Sequence, residues 1–389
     1  MSTENSTPSK QSSVNRPLAL WYFLFIGALG AIAPYLAVCL QNAGASGTAT
    51  GVVLAIVPIG LLLGSPIGTL LADRSRQPIW VLRLCIALSA VATLALYLAP
   101  DWRFMAPAAA LLALARAPAG AITDNIAMQT TGASGYGKVR LWGSVGFVVI
   151  CWAVGMSLDR WPSSPILVCF VLLCGLLLAT ERLNRGTIER EASSGSIRTL
   201  LADKRLAAMY CVAILHSSTV AIYDRFFALH VSTIGLPSKV AANALALGVS
   251  VEVAVMAASG LLLRRLGAMK LILIAVAVGI PRWWLCGTIT DSAGLVAVQA
   301  LHGLSFGAWW IGGIALVAEQ APRGLRNSAQ GMFLAAGHGI GQLVAMLGAA
   351  LVLDRASTST IFQGLSAVSV MALLLALGWL ARTEQQPAR

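Results

Sequence analysis

The sequence predicts an all-α membrane protein of twelve transmembrane helices arranged as two pseudo-symmetric six-helix bundles, and three observations lead there. Hydrophobic residues fill 58% of 389 positions and charged residues only 11%, with a mean hydropathy of +0.79. That is more apolar surface than one water-facing core can hide, so lipid must act as solvent. Apolar runs near the ~20 residues that cross a bilayer recur along the chain, and a polar break at 182–204 divides them six and six.

Residues 1–16 are rich in Ser, Thr and Asn and lack a leading apolar region, which predicts a disordered cytoplasmic tail and no cleaved signal peptide. The first bundle, 17–181, holds runs at 18–40, with Pro34; 48–71, with Pro58 and Pro66; 78–99; 103–126, with Arg116, Pro118 and Asp124; 139–158; and 163–181. A cytoplasmic linker follows at 182–204. The second bundle, 205–381, holds runs at 205–232, with Asp224 and Arg225; 238–262, with Glu252; 269–289, with Pro281 and Arg282; 293–317; 329–353; and 359–380. Residues 382–389 form a second cytoplasmic tail. Each run must be a helix, because backbone polar groups in hydrocarbon have to be satisfied within their own segment. The prolines supply kinks, and glycine clusters such as "GAWWIGG" and "GHGIG" suit close helix contact. Weak internal symmetry supports the division: "GTLLADRSRQ" follows the second run of the first bundle and "GLLLRRLGAMK" the second run of the other. Paired bundles with a site between them are a recurring plan of secondary transporters.

The net charge of +12 raises nucleic acid as a partner, and the placement of the charge argues against it. Of 27 Lys and Arg, 19 fall in the tails and alternate loops on one side, while the opposite loops hold only Arg103, Arg160, Lys239 and Arg355. This asymmetry places both termini in the cytoplasm of a multi-pass inner-membrane protein. The seven cysteines lie in apolar runs without C-x-x-C spacing and read as buried thiols. Gly132 to Lys138 has the spacing of a phosphate loop, but Val139 stands where a Ser or Thr must hold magnesium. "GLSFG" fits the G-x-S-x-G elbow, yet Ser305 sits inside an apolar helical run and not at a strand-to-helix turn. No H-E-x-x-H site occurs, and neither metal nor cofactor is expected.

An ionised group at a helix centre costs ~2.5–3.5 kcal/mol on insertion scales, so Arg116, Asp124, Asp224, Arg225, Glu252 and Arg282 need partners or water. Glu252 and Arg282, on antiparallel neighbours, are expected to pair. Asp224 and Arg225 are about 100° apart around their helix and cannot share a face. The histidines, His302 foremost, suit either proton relay or packing. Trp283, Trp284, Trp309 and Trp310 suit packing or interface roles, with ligand stacking as the alternative.

"LADRSRQ" resembles the loop between helices 2 and 3 of the major facilitator superfamily, where Asp73 and Arg74 would latch neighbouring helices. "YGKVRLWGSVGF", "PYLAVCLQNAG", "TDNIAM", "LGVSVEV", "PRWWLCG" and "LHGLSFG" resemble segments of the lactose-permease and phenylpropionate-permease groups of that superfamily. The resemblance implies that Asp124 and Arg140 bind substrate and stay paired when the site is empty, with Phe147 where a tryptophan stacks on sugar and His302 nearby. It also implies a proton-coupling cluster of Glu252, Arg282 and His302, with Asp224 as a second carboxyl. Gln299 and Ser305 replace the family's lysine and carboxylate there, which leaves Glu252 as the first choice of proton carrier.

The resulting expectation is a proton-coupled symporter, monomeric, taking up a small organic solute such as an aromatic carboxylate or a saccharide by alternating access. The alternatives are an exporter working by proton antiport and a transport-inactive sensor or assembly factor on the same fold.

Overall fold

The computed structural model describes residues 15–75, 77–183, 197–322 and 325–384. The expected N-terminal tail, most of the 182–204 linker and the end of the C-terminal tail lie outside the described residues. Everything regular among the described residues is helical. We number the helices by crossing. α1 is the bent pair Arg16–Ile32 and Leu36–Asn42, with a 42° change of direction. It is followed by α2 (Gly47–Ser75) and α3 (Pro78–Leu98), then α4 (Trp102–Gly132) and α5 (Gly135–Ser157), and α6 (Ser164–Thr180). The second series is α7 (Lys204–Thr233), α8 (Ser238–Ala257), α9 (Ser259–Thr288), α10 (Ser292–Gln320), α11 (Ser328–Val352) and α12 (Thr358–Glu384).

Nine helices among the described residues are long and apolar enough to cross a membrane, and the bent α1 makes ten. The other two expected crossings are helical but less regular. α6 has 17 residues, and α9 is broken at Gly267, where φ is 77°. The break separates Arg264 and Arg265 from the apolar stretch ending at Thr288, next to where the 269–289 run was expected to begin. Gly132, with φ 66°, makes the equivalent break between α4 and α5. Only glycine takes this left-handed backbone without strain, and nothing lies within 4 Å of the Cβ that either position would carry.

α1 to α6 pack chiefly on one another, as do α7 to α12; the main seams between the two sets are α2 with α11 and α5 with α8. These seams are related by a shift of six helices. Small residues bring the backbones together: a Cβ on Gly51 would lie 2.5 Å from the Ala350 nitrogen, and one on Gly155 would lie 2.6 Å from the Ala242 Cβ.

Hydrogen bonds between the sets cluster at the distal end, opposite the chain termini. The Asp354 carboxylate accepts from the backbone N–H groups of Gly47 (2.6 Å) and Thr48 (2.8 Å), capping α2. The Asp159 carboxylate accepts from the Ser238 N–H (3.0 Å) and hydroxyl (2.5 Å), capping α8. Between them, Trp152 Nε1 donates to Asn243 Oδ1 at 2.9 Å. Each aspartate thus satisfies orphan donors at a helix N-terminus in the other set and complements its dipole. The distal end is closed.

Hydrogen bonds from Thr48, and then Gly47, hold the Asp354 carboxyl below the usual carboxylate range. A depressed value stabilises the latched state above the free carboxyl value of about 3.9 and loses that contribution as pH falls through the lowered one. The latch is therefore intact at neutral and mildly acidic pH. Asp354→Ala combined with Asp159→Ala should speed maleimide labelling of Ala349→Cys, buried behind the seam, severalfold at pH 7. Unchanged labelling would show that the caps do not hold this end shut.

Candidate functional site

Two polar clusters form within the helices, one in each set. The first surrounds Tyr22 of α1. Its hydroxyl donates to Asp124 Oδ1 at 2.6 Å, and the Arg140 guanidinium lies 5.6 Å from its ring centroid. Tyr136 packs edge-on to Tyr22 at 6.5 Å and is close enough to interact with both Asp124 and Arg140. α1 and α5 bring these groups together through backbone contact: a Cβ on Gly30 would fall 2.7 Å from the Phe147 carbonyl oxygen, and one on Gly146 would strike that of Phe23. Asp124, Arg140 and Phe147 are each half-buried. The expected Asp124–Arg140 ion pair is absent; the Asp124 carboxylate accepts from the Tyr22 hydroxyl instead. A hydroxyl that donates to a carboxylate beside a waiting guanidinium is exchangeable by a ligand's own polar groups. Phe147 packs its half-buried ring against the apolar core.

The second cluster lies around Arg282, which is fully buried. Its Nη1 donates to Ser305 Oγ at 3.0 Å and its Nη2 to Gln299 Oε1 at 3.1 Å. Its guanidinium sits 4.3 Å from the Tyr223 ring centroid and 4.2 Å from that of Trp283. The expected Glu252–Arg282 pair is therefore replaced. Glu252 instead pairs with His302, Oε2 to Nε2, at 3.3 Å. Asp224, next to Tyr223 on α7, lies within electrostatic range of His302, Arg225, Arg282 and Glu252.

Local backbone helps to place these groups. Ser305 falls in a π-helical turn, Gly303–Gly307, and a Cβ on Gly303 would fall 2.5 Å from Val251 and 2.7 Å from the Glu252 nitrogen. π-turns recur at functional sites because they re-aim side chains. His302, Phe306 and Trp310 stack in succession along α10, and His338 of α11 meets Trp310 edge-on at 5.5 Å. Buried polar atoms without a partner among the described residues gather here: Arg282 Nε, Tyr223 Oη, Trp283 Nε1, His302 Nδ1 and both His216 nitrogens. Unpaired buried polar groups are uncommon in folded proteins, so their concentration around Arg282 sets this cluster apart.

Tyr22, Tyr136 and Tyr223 were not singled out by the sequence; "LWYFLF" and "YDRFF" carry no charge pattern that gives the tyrosines' partners. His230 proves structural, bonding Thr358 Oγ1 at 2.8 Å and the Cys286 carbonyl at 2.9 Å. Arg74 is exposed in the last turn of α2, and the Asp73 side chain lies outside the described residues. Among the described residues no group of three His, Cys, Asp or Glu could hold a metal ion.

Comparison with known proteins agrees with this architecture. The MFS_1 like family matches residues 16–364. A maltose permease of Geobacillus stearothermophilus is 26% identical over 377 residues, covering 94% of each chain. A probable 3-phenylpropionic acid transporter of Escherichia coli K12 is 31% identical over 301 residues, covering 74% of this chain and 78% of the other. Among solved structures, the nucleoside transporter NupG superposes with a TM-score of 0.81 at 19% identity, covering 95% of this chain and 99% of that one. The chain therefore belongs to the MFS_1 like family, as a multi-pass membrane transporter with the major facilitator fold.

Proposed function

We propose that this transporter is a proton-coupled symporter of the inner membrane, with both termini cytoplasmic, which takes up a small organic solute such as an aromatic carboxylate or a saccharide. Solute would bind Asp124 and Arg140 beside Phe147 and approach His302, while Glu252, Arg282, His302 and Asp224 couple it to the proton. Asp73 and Arg74 would latch the cytoplasmic side in the opposite conformation. The relatives, permeases for a sugar and nucleosides and a probable transporter of an aromatic acid, support transport of an organic solute.

The observation that carries the coupling is the exchange of partners around Arg282. Its hydrogen bonds go to Gln299 and Ser305, which are neutral, so no carboxylate is tied down by a direct arginine bond. Glu252 is left against a histidine, itself a proton donor or acceptor. Moving a proton on or off Glu252 changes the net charge of the cluster by one, and in a low-dielectric interior such a change biases which arrangement of the helix sets is favoured.

Uptake into proteoliposomes tests this reading. One pH unit is worth about 1.4 kcal/mol, so a one-unit gradient sustains roughly tenfold accumulation for one proton per solute. Among 3-phenylpropionate, maltose and uridine, at least one should accumulate with an alkaline interior and fall to equilibrium when a protonophore is added. Accumulation only with the gradient reversed would indicate the exporter instead, and no flux with any solute would favour a sensor.

A further inference from the structure

The ladder of rings on α10 leads away from the Arg282 cluster. His302 and Phe306 stack with centroids 5.4 Å apart and planes 6° from parallel, and Phe306 and Trp310 do so at 6.1 Å and 16°. Spaced four residues apart, the three rings share one strip of the helix. Phe306 and Trp310 are half-buried. α10 starts at the distal end, so the strip runs from His302 toward the side of the chain termini, away from the closed caps.

Neighbouring contacts fix the direction in which the strip faces. A Cβ on Gly303 would fall 2.5 Å from Val251 and one on Gly307 would fall 3.0 Å from Val255, both on α8. On the other side Trp309 meets Phe333 of α11 at 5.6 Å between centroids, and a Cβ on Gly313 would fall 2.5 Å from the same ring. At about 100° per residue, Phe306 and Trp310 lie between these two sides. α8 and α11 are the helices that form the seams with the first set, so the strip between them looks into the space that separates the sets. α11 supplies its far edge: His338 meets Trp310 at 5.5 Å, and a Cβ on the next residue, Gly339, would fall 2.7 Å from Leu62 of α2, in the first set.

We infer that Phe306 and Trp310 form a wall against which the planar ring of an aromatic solute packs, and that this wall selects such a solute over a saccharide. Aromatic rings attract one another beyond the area they bury, through the negative face of one and the positive edge of the other. Phe306 has no hydrogen-bonding atom, so a saccharide laid along it would leave hydroxyls unpaired, and that is costly away from water. The rings already hold one another in place through the stack that begins at His302, so little side-chain freedom is lost when a ligand arrives. An apolar wall with a few polar groups at its end, here Glu252 and His302, is the usual make-up of a small-molecule site. The wall rests on the transport reading above and narrows its solute to the aromatic class.

Equilibrium binding to the purified full-length protein tests the wall without requiring flux. Two pairs of probes match in charge and chain length and differ in the ring: 3-phenylpropionate against 3-cyclohexylpropionate, and benzoate against cyclohexanecarboxylate. Apolar burial alone favours the bulkier saturated ring, so tighter binding of a phenyl compound signals ring packing. In at least one pair the aromatic acid should bind about two- to tenfold tighter than its saturated partner. Phe306→Leu and Trp310→Leu should lower that ratio toward one, whereas Trp310→Phe, which keeps a ring, should retain most of it. The comparison on the unmutated protein depends on no variant folding. No saturable binding of either aromatic acid, or a saturated partner that binds as well or better in both pairs, would overturn the wall, as would a ratio unchanged in both leucine variants. Gradient-driven uptake of maltose or uridine without any preference for the phenyl ring would leave the symport reading standing while the wall falls. Phenyl-selective binding that Trp310→Leu removes, without gradient-driven uptake of any solute, would do the reverse.

Discussion

Glu252→Gln should abolish gradient-driven accumulation, leaving solute at its equilibrium level where the unmutated protein sustains about tenfold per pH unit. The amide keeps the shape and one hydrogen bond toward His302 but cannot take up or release the proton. Solute exchange across the membrane, measured as counterflow at equal pH, should persist within a few-fold, because the helix sets can still reorient with a permanently neutral group at this position. His302→Asn is the informative companion. If His302 relays the proton to Glu252, both activities should separate as in Glu252→Gln; if it only orients the carboxylate, accumulation should fall in part. Full accumulation by Glu252→Gln would remove Glu252 as carrier and shift attention to Asp224, the other carboxyl within electrostatic range of this cluster.

The depth of each group was legible in the sequence, and its direction was not. Hydropathy alone locates Asp124, Glu252 and Arg282 within apolar runs, since the cost of placing charge in lipid marks such residues wherever they occur. It does not say which way they face. The Tyr22 hydroxyl claims Asp124 across 102 positions of sequence, and this follows from how α1 meets α4 and α5. Arg282 turns to Gln299 and Ser305, two positions in the coupling cluster at which the sequence departs from the resemblance. Those two substitutions, which remove charges from the coupling cluster, supply the arginine with neutral acceptors. Boundaries shifted most between α4 and α5, which run to Gly132 and from Gly135 where the runs were placed at 103–126 and 139–158, and the π-turns of α10 and α11 left no mark on local hydropathy. The cross-set caps were invisible for a different reason. Asp159 and Asp354 look like ordinary loop residues until the helices whose N-termini they cap are placed beside them.

Replacing Gly51 and Gly155 with tryptophan should hold the distal end open. At Gly51 even a methyl carbon would fall 2.5 Å from the Ala350 backbone nitrogen and 2.6 Å from its Cα, and at Gly155 it would collide with the Tyr35 hydroxyl and meet Ala242. Backbone cannot yield as a flexible side chain does, so the helices must separate. Overpacking typically costs about 1–3 kcal/mol and occasionally more, which for one substitution means roughly a five- to 150-fold shift away from the closed seam. Complete inversion from 1:99 to 99:1 needs about 5.5 kcal/mol. The single variants should therefore retain partial transport, while the double variant, whose sites lie in different seams and should add, should lose it almost entirely. Maleimide labelling of Ala349→Cys should rise in the same order. Solute binding from the distal side should survive, because neither glycine belongs to the Tyr22 or Arg282 clusters. Loss of transport together with unchanged labelling would mean that the tryptophans disrupt folding instead of propping the seam, and retained transport in the double variant would show that this seam need not close during the cycle.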